Sequence, residues 1–540
     1  MSSSDDSVSD QDDQTEFLHE LESIRKSIDW EVEKERRLLF DRVRFLIRNW
    51  KGQLPDLQDI FRAEEVDWIL SQSVESTKEL LIEFVVKCGY KDKPQAYEDG
   101  KPSPRRTTPV HHMWLEDDCF CVKVVSNLFK IYDRFDVNYT DASGLTHFHV
   151  ACNYGCNDVV KKFLKLGQNP KQLVLETGDS PLHLALAAGR MEVVKLLLKH
   201  GANPNSKNKN DKTPLHSVCE RYDNRHSDSV ETFFKMCDER RKTVQIDAKD
   251  NSGDTPLHSA VYFNEQKTVE ALLRRGADPN SANGEGLTPL HYICKDPNDD
   301  GMAELFFKVN DETNQLVQVD ALDKLGRTPL QYAVAGFLPR VVDLLLDHGA
   351  DLSKFVFPTE SYYGRCFTAD YPKLDLASEC LTVVERLEKR GYKLDRTGAL
   401  TIMKFFVEYK LFAESANLEK SWYDDKQLIR KTKEIKIIPS LSLFNVICLS
   451  PEEAAKQLTY TDYYKFAEEV SNFEILLPES HQDACALHLC EKMSRRFFLC
   501  WALKSLSKLT RHRLPVEGCR MIIEPLLNKD LCNITLATKD

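Results

Sequence analysis

The sequence lacks the features of membrane-spanning and secreted proteins. No apolar run approaches the roughly 18 residues that cross a bilayer, and the longest candidates are LSLFNVICL from Leu441 and RRFFLCWAL from Arg495. The first residues, MSSSDDSVSDQDDQ, have neither the basic start nor the apolar core of a signal peptide. The 16 cysteines fall on predicted helices rather than in a small disulfide framework, which fits reduced thiols. We therefore expect a cytoplasmic or nuclear protein with no membrane partner.

Motifs for catalysis are also missing. The chain contains no G-x-x-x-x-G-K-[ST], G-x-G-x-x-G, G-x-S-x-G or H-E-x-x-H pattern and no kinase signature. Its 85 acidic and 73 basic side chains give a formal charge of −12, which argues against sequence-independent binding to nucleic acid. We expect no enzyme activity, no cofactor and no nucleic-acid partner.

A short pattern recurs through the middle of the chain. In GDTPLHSAVYFNEQKTVEALLRRGADPN, from Gly253, Thr255 can cap a helix that begins at Pro256, and Gly276 can end a second helix after Arg275. Related stretches are GDSPLHLALAAGRMEVVKLLLKHGANPN from Gly178, DKTPLHSVC from Asp211, GLTPLHYIC from Gly286 and GRTPLQYAVAGFLPRVVDLLLDHGADL from Gly326. Their starts lie 33 to 42 residues apart. This recurrence predicts an array of helix pairs that stack to bury their apolar faces.

A T-P-L-H-x-A motif repeated at about 33 residues and followed by G-A-D-x-N resembles the ankyrin repeat. Weaker copies at Arg106 (RTTPVHHMW), Gly144 (GLTHFHVAC) and Gly391 (GYKLD) extend the array to about seven repeats with atypical ends. The resemblance implies an all-α fold, with an ankyrin-repeat solenoid over residues 106–395 between an N-terminal helical region and a C-terminal α-helical domain. It also implies that the repeats bind a protein, and that Asn205 and Asn280 are candidates for asparaginyl hydroxylation.

The region before the array has two parts. Residues 1–14 are rich in serine and aspartate, which predicts a disordered acidic tail. Within the helical region over 15–105, apolar residues from Phe17 to Trp50 follow helical spacing and predict one long amphipathic helix. A break in that pattern around Glu33–Arg36 favours a cap packed on the first repeats over a coiled-coil dimer seam.

The region after residue 395 loses the repeat, and its helical patterns with dispersed aromatic side chains predict a separate domain over 396–540. The domain closes with RHRLPVEGCRMIIEPLLNKDLCNI from Arg511. Ankyrin repeats followed by this ending resemble the PRANC family, ankyrin proteins of poxviruses and some insects that carry an F-box-like motif, here near residues 513–535. The matching residues are Leu514, Pro515, Glu517, Ile522, Ile523, Glu524, Leu526, Asp530 and Leu531.

The PRANC resemblance implies that these residues dock onto the Skp-type linker of a cullin–RING ubiquitin ligase. Two positions depart from the family pattern. Gly518 stands where an apolar residue is expected, and Pro525 costs about 3 kcal/mol inside a helix unless the helix breaks there. A terminal helix pair that only closes the domain is the alternative interpretation.

Partner binding on the repeats is expected where packing does not fix the side chains. The candidates after the first helix of each copy are Asn153, Tyr154, Glu220, Arg221, Tyr262, Phe263 and Lys295. The candidates at the hairpin tips are Asn208, Lys209, Asn210, Lys249, Asn251, Glu285 and Lys324. Aromatic side chains such as Tyr262 and Phe263 suit an interface, and packing against the neighbouring repeat is the alternative.

Histidine and cysteine clusters have simpler interpretations than catalysis or metal binding. The recurring histidines occupy one repeat position and suit hydrogen bonds with the capping Thr or Ser; they are His149, His183, His216, His258 and His291. The loop Asp296–Gly301 resembles the start of a calcium loop but has Phe307 in place of the bidentate glutamate. Cysteines and histidines between His481 and Cys519 match no zinc spacing. We expect no bound metal.

Two functions follow from the sequence. In the first, the protein is an adaptor whose repeats capture a partner and whose C-terminal domain docks a Skp/cullin ubiquitin ligase. In the second, it is a non-catalytic scaffold or sequestering protein without ligase coupling. The adaptor predicts partly exposed side chains at Leu514, Ile522, Ile523 and Leu531, whereas the scaffold predicts that these four are buried.

Overall fold

The computed structural model describes residues 9–50, 53–76, 79–93, 104–115, 121–220, 228–297, 301–359, 371–412, 426–469, 477 and 479–538. The chain packs as two compact units, Met1–Asp278 and Pro279–Asp540. In the described residues the fold is helical apart from one two-stranded hairpin, so the predicted all-α class is confirmed. None of the helices described is both long enough and apolar enough to cross a bilayer.

The first unit begins with helices that precede the repeats. They are α1 (Ser9–Lys26), α2 (Glu33–Arg48), α3 (Leu57–Ile60), α4 (Ala63–Glu75) and α5 (Glu79–Lys87). The prediction of one long helix from Phe17 is therefore wrong. The chain turns at Asp29, whose carboxylate accepts the backbone N–H of Glu31 at 3.0 Å, and this turn places the Trp30 ring edge-on to Trp68 at 5.8 Å. Packing Trp30 in this way separates α1 from α2.

The predicted acidic tail is helical from Ser9 onward, so the expectation of disorder is wrong for its last part, while residues 1–8 lie outside the described ranges. Helices α1 and α2 pack on each other, and α2 also packs on α5. Helix α4 packs on the first helix of the repeats. These contacts are the ones expected if the N-terminal helices form a cap packed on the first repeats.

The repeats of the first unit form paired helices. They are α6 (Pro109–His112) followed by a 3₁₀ turn (Met113–Leu115), α7 (Cys121–Ile131), α8 (His147–Asn153), α9 (Asn157–Lys165), α10 (Pro181–Ala187), α11 (Met191–Lys199), α12 (Pro214–Cys219), α13 (Ser229–Asp238), α14 (Pro256–Tyr262) and α15 (Gln266–Arg274). First helices stack on first helices, from α8 to α14, and second helices stack on second helices, from α9 to α15. Each pair therefore completes its core with its neighbours.

Helix ends follow the chemistry of the motif. Helix α14 starts at Pro256 as predicted, because Thr255 is extended and caps it, and the missing N–H of proline costs nothing at this position. Helix α15 ends at Arg274, one residue before the predicted end. Gly276 then adopts φ of 90°, a left-handed conformation that side chains disfavour. Gly391, in the degenerate last copy, adopts φ of 93°.

The second unit contains the later repeats and the C-terminal helices. Its repeat helices are α16 (Pro289–Lys295), α17 (Met302–Glu312), α18 (Pro329–Ala335) and α19 (Pro339–Asp347). The helices that follow are α20 (Lys373–Lys389), α21 (Arg396–Glu408), α22 (Lys426–Glu434), α23 (Leu443–Cys448), α24 (Pro451–Gln457), α25 (Tyr460–Glu469), α26 (Glu479–Leu509), α27 (Val516–Ile523) and α28 (Asn528–Ala537). Strand β1 (Lys436–Ile438) pairs antiparallel with β2 (Leu441–Ser442), with Lys436 opposite Ser442.

The boundary predicted at residue 395 does not separate two cores. Helix α20 lies before that boundary, yet it packs on α25 and α26 as well as on the repeat helix α19. The Phe337 ring, at the turn before α19, lies 4.6 Å from the ring of Phe405 on α21. The last repeats and the C-terminal helices therefore share one core within Pro279–Asp540.

Candidate protein-binding surfaces

The repeat histidines form a structural hydrogen-bond network. In the copy at Thr255, the backbone N–H of Thr255 donates to Nδ1 of His258 at 3.1 Å, and the Thr255 hydroxyl lies 2.9 Å from the same nitrogen. In the copy at Ser180, Nδ1 of His183 likewise accepts from the Ser180 N–H, and Nε2 lies 3.0 Å from the Lys212 carbonyl oxygen. Nδ1 accepts, so Nε2 carries the hydrogen and donates it. The predicted structural role of these histidines is confirmed.

His147 replaces the usual proline in the copy at Gly144, and the structure gives it a role that the motif does not predict. Its buried Nε2 lies 2.6 Å from the hydroxyl of Thr108, the cap residue of the preceding copy. Its ring lies edge-on to those of Tyr132 and Tyr139, 5.8 and 5.1 Å away. His147 therefore bridges two successive repeats.

The hairpin tips of the first unit join to one another through asparagine. The Asn208 carboxamide accepts from the N–H of Asn210 and donates to Asp179 at 2.8 Å. The next tip continues the chain of bonds, because Asn251 donates from its side chain to the Lys209 carbonyl at 3.1 Å. The side chains of Lys209, Asn210, Lys249 and Asn251 are exposed, and Asn208 is half-buried. The tips thus present lysines on a fixed backbone.

The positions after the first helices differ in exposure. Tyr154 is buried, and its hydroxyl donates to the Met113 carbonyl at 2.5 Å, so this candidate packs inside the unit instead of facing a partner. Asn153 is half-buried. Glu220 is half-buried and pairs with Lys212 at 2.6 Å. Arg221 lies outside the described residues.

The aromatic pair remains the most prominent feature among these positions. The Tyr262 side chain is 65% exposed, and its ring meets the half-buried ring of Phe263 edge-on at 5.2 Å. An exposed tyrosine supported by a second ring is a rigid apolar anchor of the kind found at interfaces. In the second unit, Glu285, Lys295 and Lys324 are all exposed.

The asparagines of the G-A-x-P-N tails hold neighbouring repeats together. The Asn205 side chain donates to the Thr243 carbonyl at 2.8 Å and accepts from the Gln245 N–H at 2.9 Å. Within the second unit, Asn280 makes the equivalent bonds to Leu316 and Gln318, both at 2.7 Å. Both side chains therefore have a structural role, and whether they are hydroxylated stays a prediction.

The C-terminal motif is divided between surface and core. Leu514 and Ile522 are exposed, whereas Ile523 and Leu531 are buried, so neither of the two sequence expectations holds for all four residues. Pro515, Glu517 and Asp530 are exposed, and Leu526 is half-buried. Val516 and Met521 are also exposed, by 60% and 75%. We call Leu514, Val516, Met521 and Ile522 the docking cluster.

The two departures from the family pattern do not distort the motif. Helix α27 ends at Ile523, so Pro525 lies beyond the helix instead of inside it. The carbonyls that remain at this break are satisfied by the buried Arg495, whose guanidinium donates to Glu524 O and Leu526 O at 2.5 Å each. A Cβ placed on Gly518 would have Pro515 Cγ as its nearest neighbour, 3.6 Å away, so a side chain there would have room.

The other clusters do not converge as metal ligands. Among the residues that the structure describes, no group of three or more His, Cys, Asp or Glu side chains could hold an ion. Cys485 and Cys490 are buried, and burial raises the pKa of both thiols above the usual range. His488 faces the Ile447 carbonyl at 3.4 Å. Part of the Asp296–Gly301 loop lies outside the described residues, although Gly301 caps α17 with φ of 79°.

Comparison with known proteins identifies the repeats. The family model for ankyrin repeats matches residues 110–208, 200–283 and 272–355. The middle of this chain consists of ankyrin repeats. Such repeats imply a protein-binding role, and the residues matched by the family model end at 355, before the C-terminal helices.

The chain is similar to several ankyrin-containing proteins over short segments. It is 29% identical over 144 residues to human transient receptor potential cation channel subfamily A member 1, covering 26% of this chain and 12% of the channel. It is 32% identical over 127 residues to an ankyrin repeat protein of Rickettsia bellii, covering 23% and 34%. It is 50% identical over 50 residues to an ankyrin repeat protein of fowlpox virus, covering 9% and 10%. The chain thus spans about a third of these relatives or less.

Proposed function

We propose that the protein is a non-catalytic adaptor: its ankyrin repeats hold one protein, and its docking cluster binds the Skp-type linker of a cullin ubiquitin ligase. The observation that carries the second half of the proposal is the exposure of the docking cluster. Four apolar side chains project from one short helix and the two residues before it, next to buried residues that fix that helix in place. The four side chains lie within nine consecutive residues, and apolar side chains exposed at this density are typical of protein interfaces.

The anchoring of α27 supports this use. The helix packs on α26, and its Cys519 and Ile523 are buried. Arg495 of α26 holds the chain after α27 through the carbonyls described above and through Asn528 at 3.2 Å. A docking helix held rigidly in this way loses little conformational freedom on binding. Two residues of the docking cluster, Leu514 and Ile522, also belong to the match with the F-box-like pattern, and this overlap favours a Skp-type linker as the occupant.

The repeat half of the proposal is supported by the fixed tips and the aromatic pair. Lys209 and Lys249 project from successive hairpins of Met1–Asp278, and Tyr262 supplies an exposed anchor in the same unit. Charged rims around aromatic anchors are common at interfaces between proteins. The proposal places the adaptor in the cytoplasm or nucleus, and the thirteen cysteines whose side chains the structure describes are free thiols.

A pull-down from cell lysate tests the ligase half. We expect wild-type protein to capture the Skp-type linker and its cullin, and the double variant Met521→Asp, Ile522→Asp to capture at least about tenfold less, because charges cannot be buried in an apolar interface without a partner. Both positions are exposed, so the variant should fold. Leu531→Asp is unsuitable, because Leu531 is fully buried and the change would unfold the domain.

Val407→Asp is the matched control. Val407 lies on α21 and is 47% exposed, close to the 49% of Ile522, but lies outside the docking cluster. Equal capture of linker by wild type and the double variant would contradict ligase docking, as would the absence of linker from the wild-type sample. The burial of Ile523 and Leu531 would then favour the second candidate, a scaffold or sequestering protein whose C-terminal helix pair only closes the unit.

A further inference from the structure

A groove of about 450 Å³ opens between α24, α26 and α27 within Pro279–Asp540. Each helix contributes one face. Five residues of α26 line the groove, and three of them, Arg495, Leu499 and Leu503, recur at i, i+4 and i+8, which is the spacing of a single helical stripe. We call this feature the basic groove. Its lining includes no residue of the repeat helices described above, and Met521 and Ile522 of the docking cluster do not line it.

The floor of the basic groove is apolar. Leu499 and Leu503 are half-buried, Ile523 is buried, and Ala455 completes the floor from α24. A half-buried leucine still exposes apolar area that a ligand can cover, and covering that area favours binding. The floor therefore favours an occupant with large apolar side chains.

The rim is cationic. Lys456, Arg496 and Arg520 are exposed at its edges, and the guanidinium of Arg495 is buried at one end. Among the described residues, none of these four cations forms an ion pair with a carboxylate, although Glu491 acts electrostatically on Arg495, Glu388 on Arg496 and Glu453 on Lys456. The one acidic side chain in the lining is Glu452. The lining itself therefore has four cations and one carboxylate, whereas the whole chain carries a formal charge of −12.

We propose that the basic groove binds an acidic amphipathic segment of a partner protein, with leucine or phenylalanine side chains on the floor and carboxylates on the rim. Charge complementarity selects this occupant: arginine forks match carboxylates. A free inorganic anion would leave the apolar floor uncovered, and an uncharged apolar peptide would leave the rim unpaired. A helix laid in a groove between three helices satisfies both surfaces.

The proposal does not rest on ligase docking. Arg520 and Ile523 share α27 with the docking cluster, but the groove variants described next leave Met521 and Ile522 intact. Linker capture measured on the same samples therefore separates a failure of the groove from a failure of the docking cluster.

Fluorescence anisotropy with a defined probe provides the test. The probe is a fluorescein-labelled helical peptide of about 14 residues with leucines at i, i+3 and i+4 spacing and glutamates elsewhere, titrated with the full-length protein. We expect binding that weakens as salt screens the charges. We expect Arg496→Gln with Arg520→Gln to weaken it at least about tenfold. The matched control is Arg511→Gln with Arg513→Gln, two exposed arginines outside the groove.

Two more probes and a built-in reporter complete the experiment. The same peptide with glutamine for glutamate tests the rim, and with serine for leucine it tests the floor; each should bind at least about tenfold more weakly.

Cys500 is exposed in the groove lining, and Cys448 is exposed outside it. The acidic peptide should slow alkylation of Cys500, read by mass spectrometry, without slowing that of Cys448. The proposal is overturned if the acidic peptide does not bind, if the glutamine peptide binds equally well, if the groove and control variants bind alike, or if Cys500 stays unprotected.

Discussion

Lowering the pH from 7 to about 4.5 should open the repeats of the first unit, because their buried histidines are neutral and must take up protons. Burial lowers the pKa of His149 to about 4. It also lowers the pKa of His111, His147, His183 and His216 from their ordinary value. These histidines all resist protonation in the folded state, so each of them destabilises the folded state as the pH falls.

The sign follows from proton linkage. Between about pH 6.5 and 4 the unfolded chain binds a proton at His149, whereas the folded chain does not, so the free energy of unfolding falls as the pH falls. This contribution to the free energy of unfolding is fully retained above the pKa that His149 has in the unfolded chain. A shift of one pKa unit corresponds to about 1.4 kcal/mol, so His149 alone accounts for a loss of about 3 kcal/mol near pH 4.

The chain itself supplies the variant that isolates this effect. In the copy at Gly326, Gln331 replaces the histidine: its side-chain oxygen accepts the Thr328 N–H at 3.0 Å, and its amide donates to the Val356 carbonyl at 3.1 Å. In His149→Gln, the glutamine should therefore accept and donate the same two kinds of hydrogen bond as Gln331. The variant lacks the imidazole that takes up a proton. We expect hydrogen exchange at the α8 amides to accelerate in wild type as the pH falls, after correction for intrinsic rates, and to change much less in the variant. Identical pH profiles would contradict the assignment.

Replacing Arg106 by methionine should destabilise the first unit by about 3–5 kcal/mol, which is the usual cost of leaving buried charges without their partner. The Arg106 guanidinium pairs with Asp92 at 2.8 Å and with Asp67. Tyr132 and Tyr139 each donate a hydroxyl hydrogen bond of 2.6 Å, to Asp67 and Asp92 respectively. These side chains join α4, the loop after α5 and the first repeats into one polar network.

The pH dependence of this variant has a definite direction. Burial already raises the pKa of Asp67, and the charge of Arg106 opposes that rise. Without Arg106 the pKa should rise further, so the folded variant holds a proton that the unfolded chain releases. Its free energy of unfolding then falls as the pH rises above the unfolded pKa, about 4.

Denaturant unfolding of the full-length protein measures the loss of stability, with the fluorescence of the described N-terminal tryptophans as the signal. Arg105→Met is the control, because Arg105 is the exposed neighbour of Arg106 in sequence. Adding Asp67→Asn and Asp92→Asn to Arg106→Met should recover part of the stability, since it removes the unpaired charges. If Arg106→Met unfolds at the same denaturant concentration as Arg105→Met, the network does not hold the N-terminal helices to the repeats.

Much of the fold was predictable because the helices of an ankyrin repeat are determined by residues that lie close together in the sequence. Thr255, Pro256 and Gly276 determine where two helices begin and end from a few neighbouring residues, and the structure agrees to within one residue. The recurring histidines were predictable as structural for the same reason. The turn at Asp29 was not, because it depends on Trp30 reaching Trp68, a contact that helical spacing cannot reveal.

The candidate surfaces were predictable only in part, because exposure is decided by tertiary packing. Tyr154 looked like a surface residue, but Met113, 41 residues earlier, supplies a buried acceptor for its hydroxyl. The pattern around Leu514 could not separate Ile522 from Ile523, although these neighbours point to solvent and to core respectively. Arg106 was identified only as the start of a weak repeat, and nothing in the repeat pattern indicates its partners Asp92 and Asp67, which lie 14 and 39 residues earlier.

Tandem purification tests most directly whether one molecule holds two proteins on two surfaces. Proteins are captured first through the Skp-type linker and then through this chain, and quantified by mass spectrometry for wild type, for Lys209→Glu with Lys249→Glu, and for Met521→Asp with Ile522→Asp. An adaptor predicts that the tip variant keeps the linker but loses a bound partner, and that the docking variant recovers neither. The same proteins in equal amounts from wild type and both variants, or no linker in any sample, would contradict it.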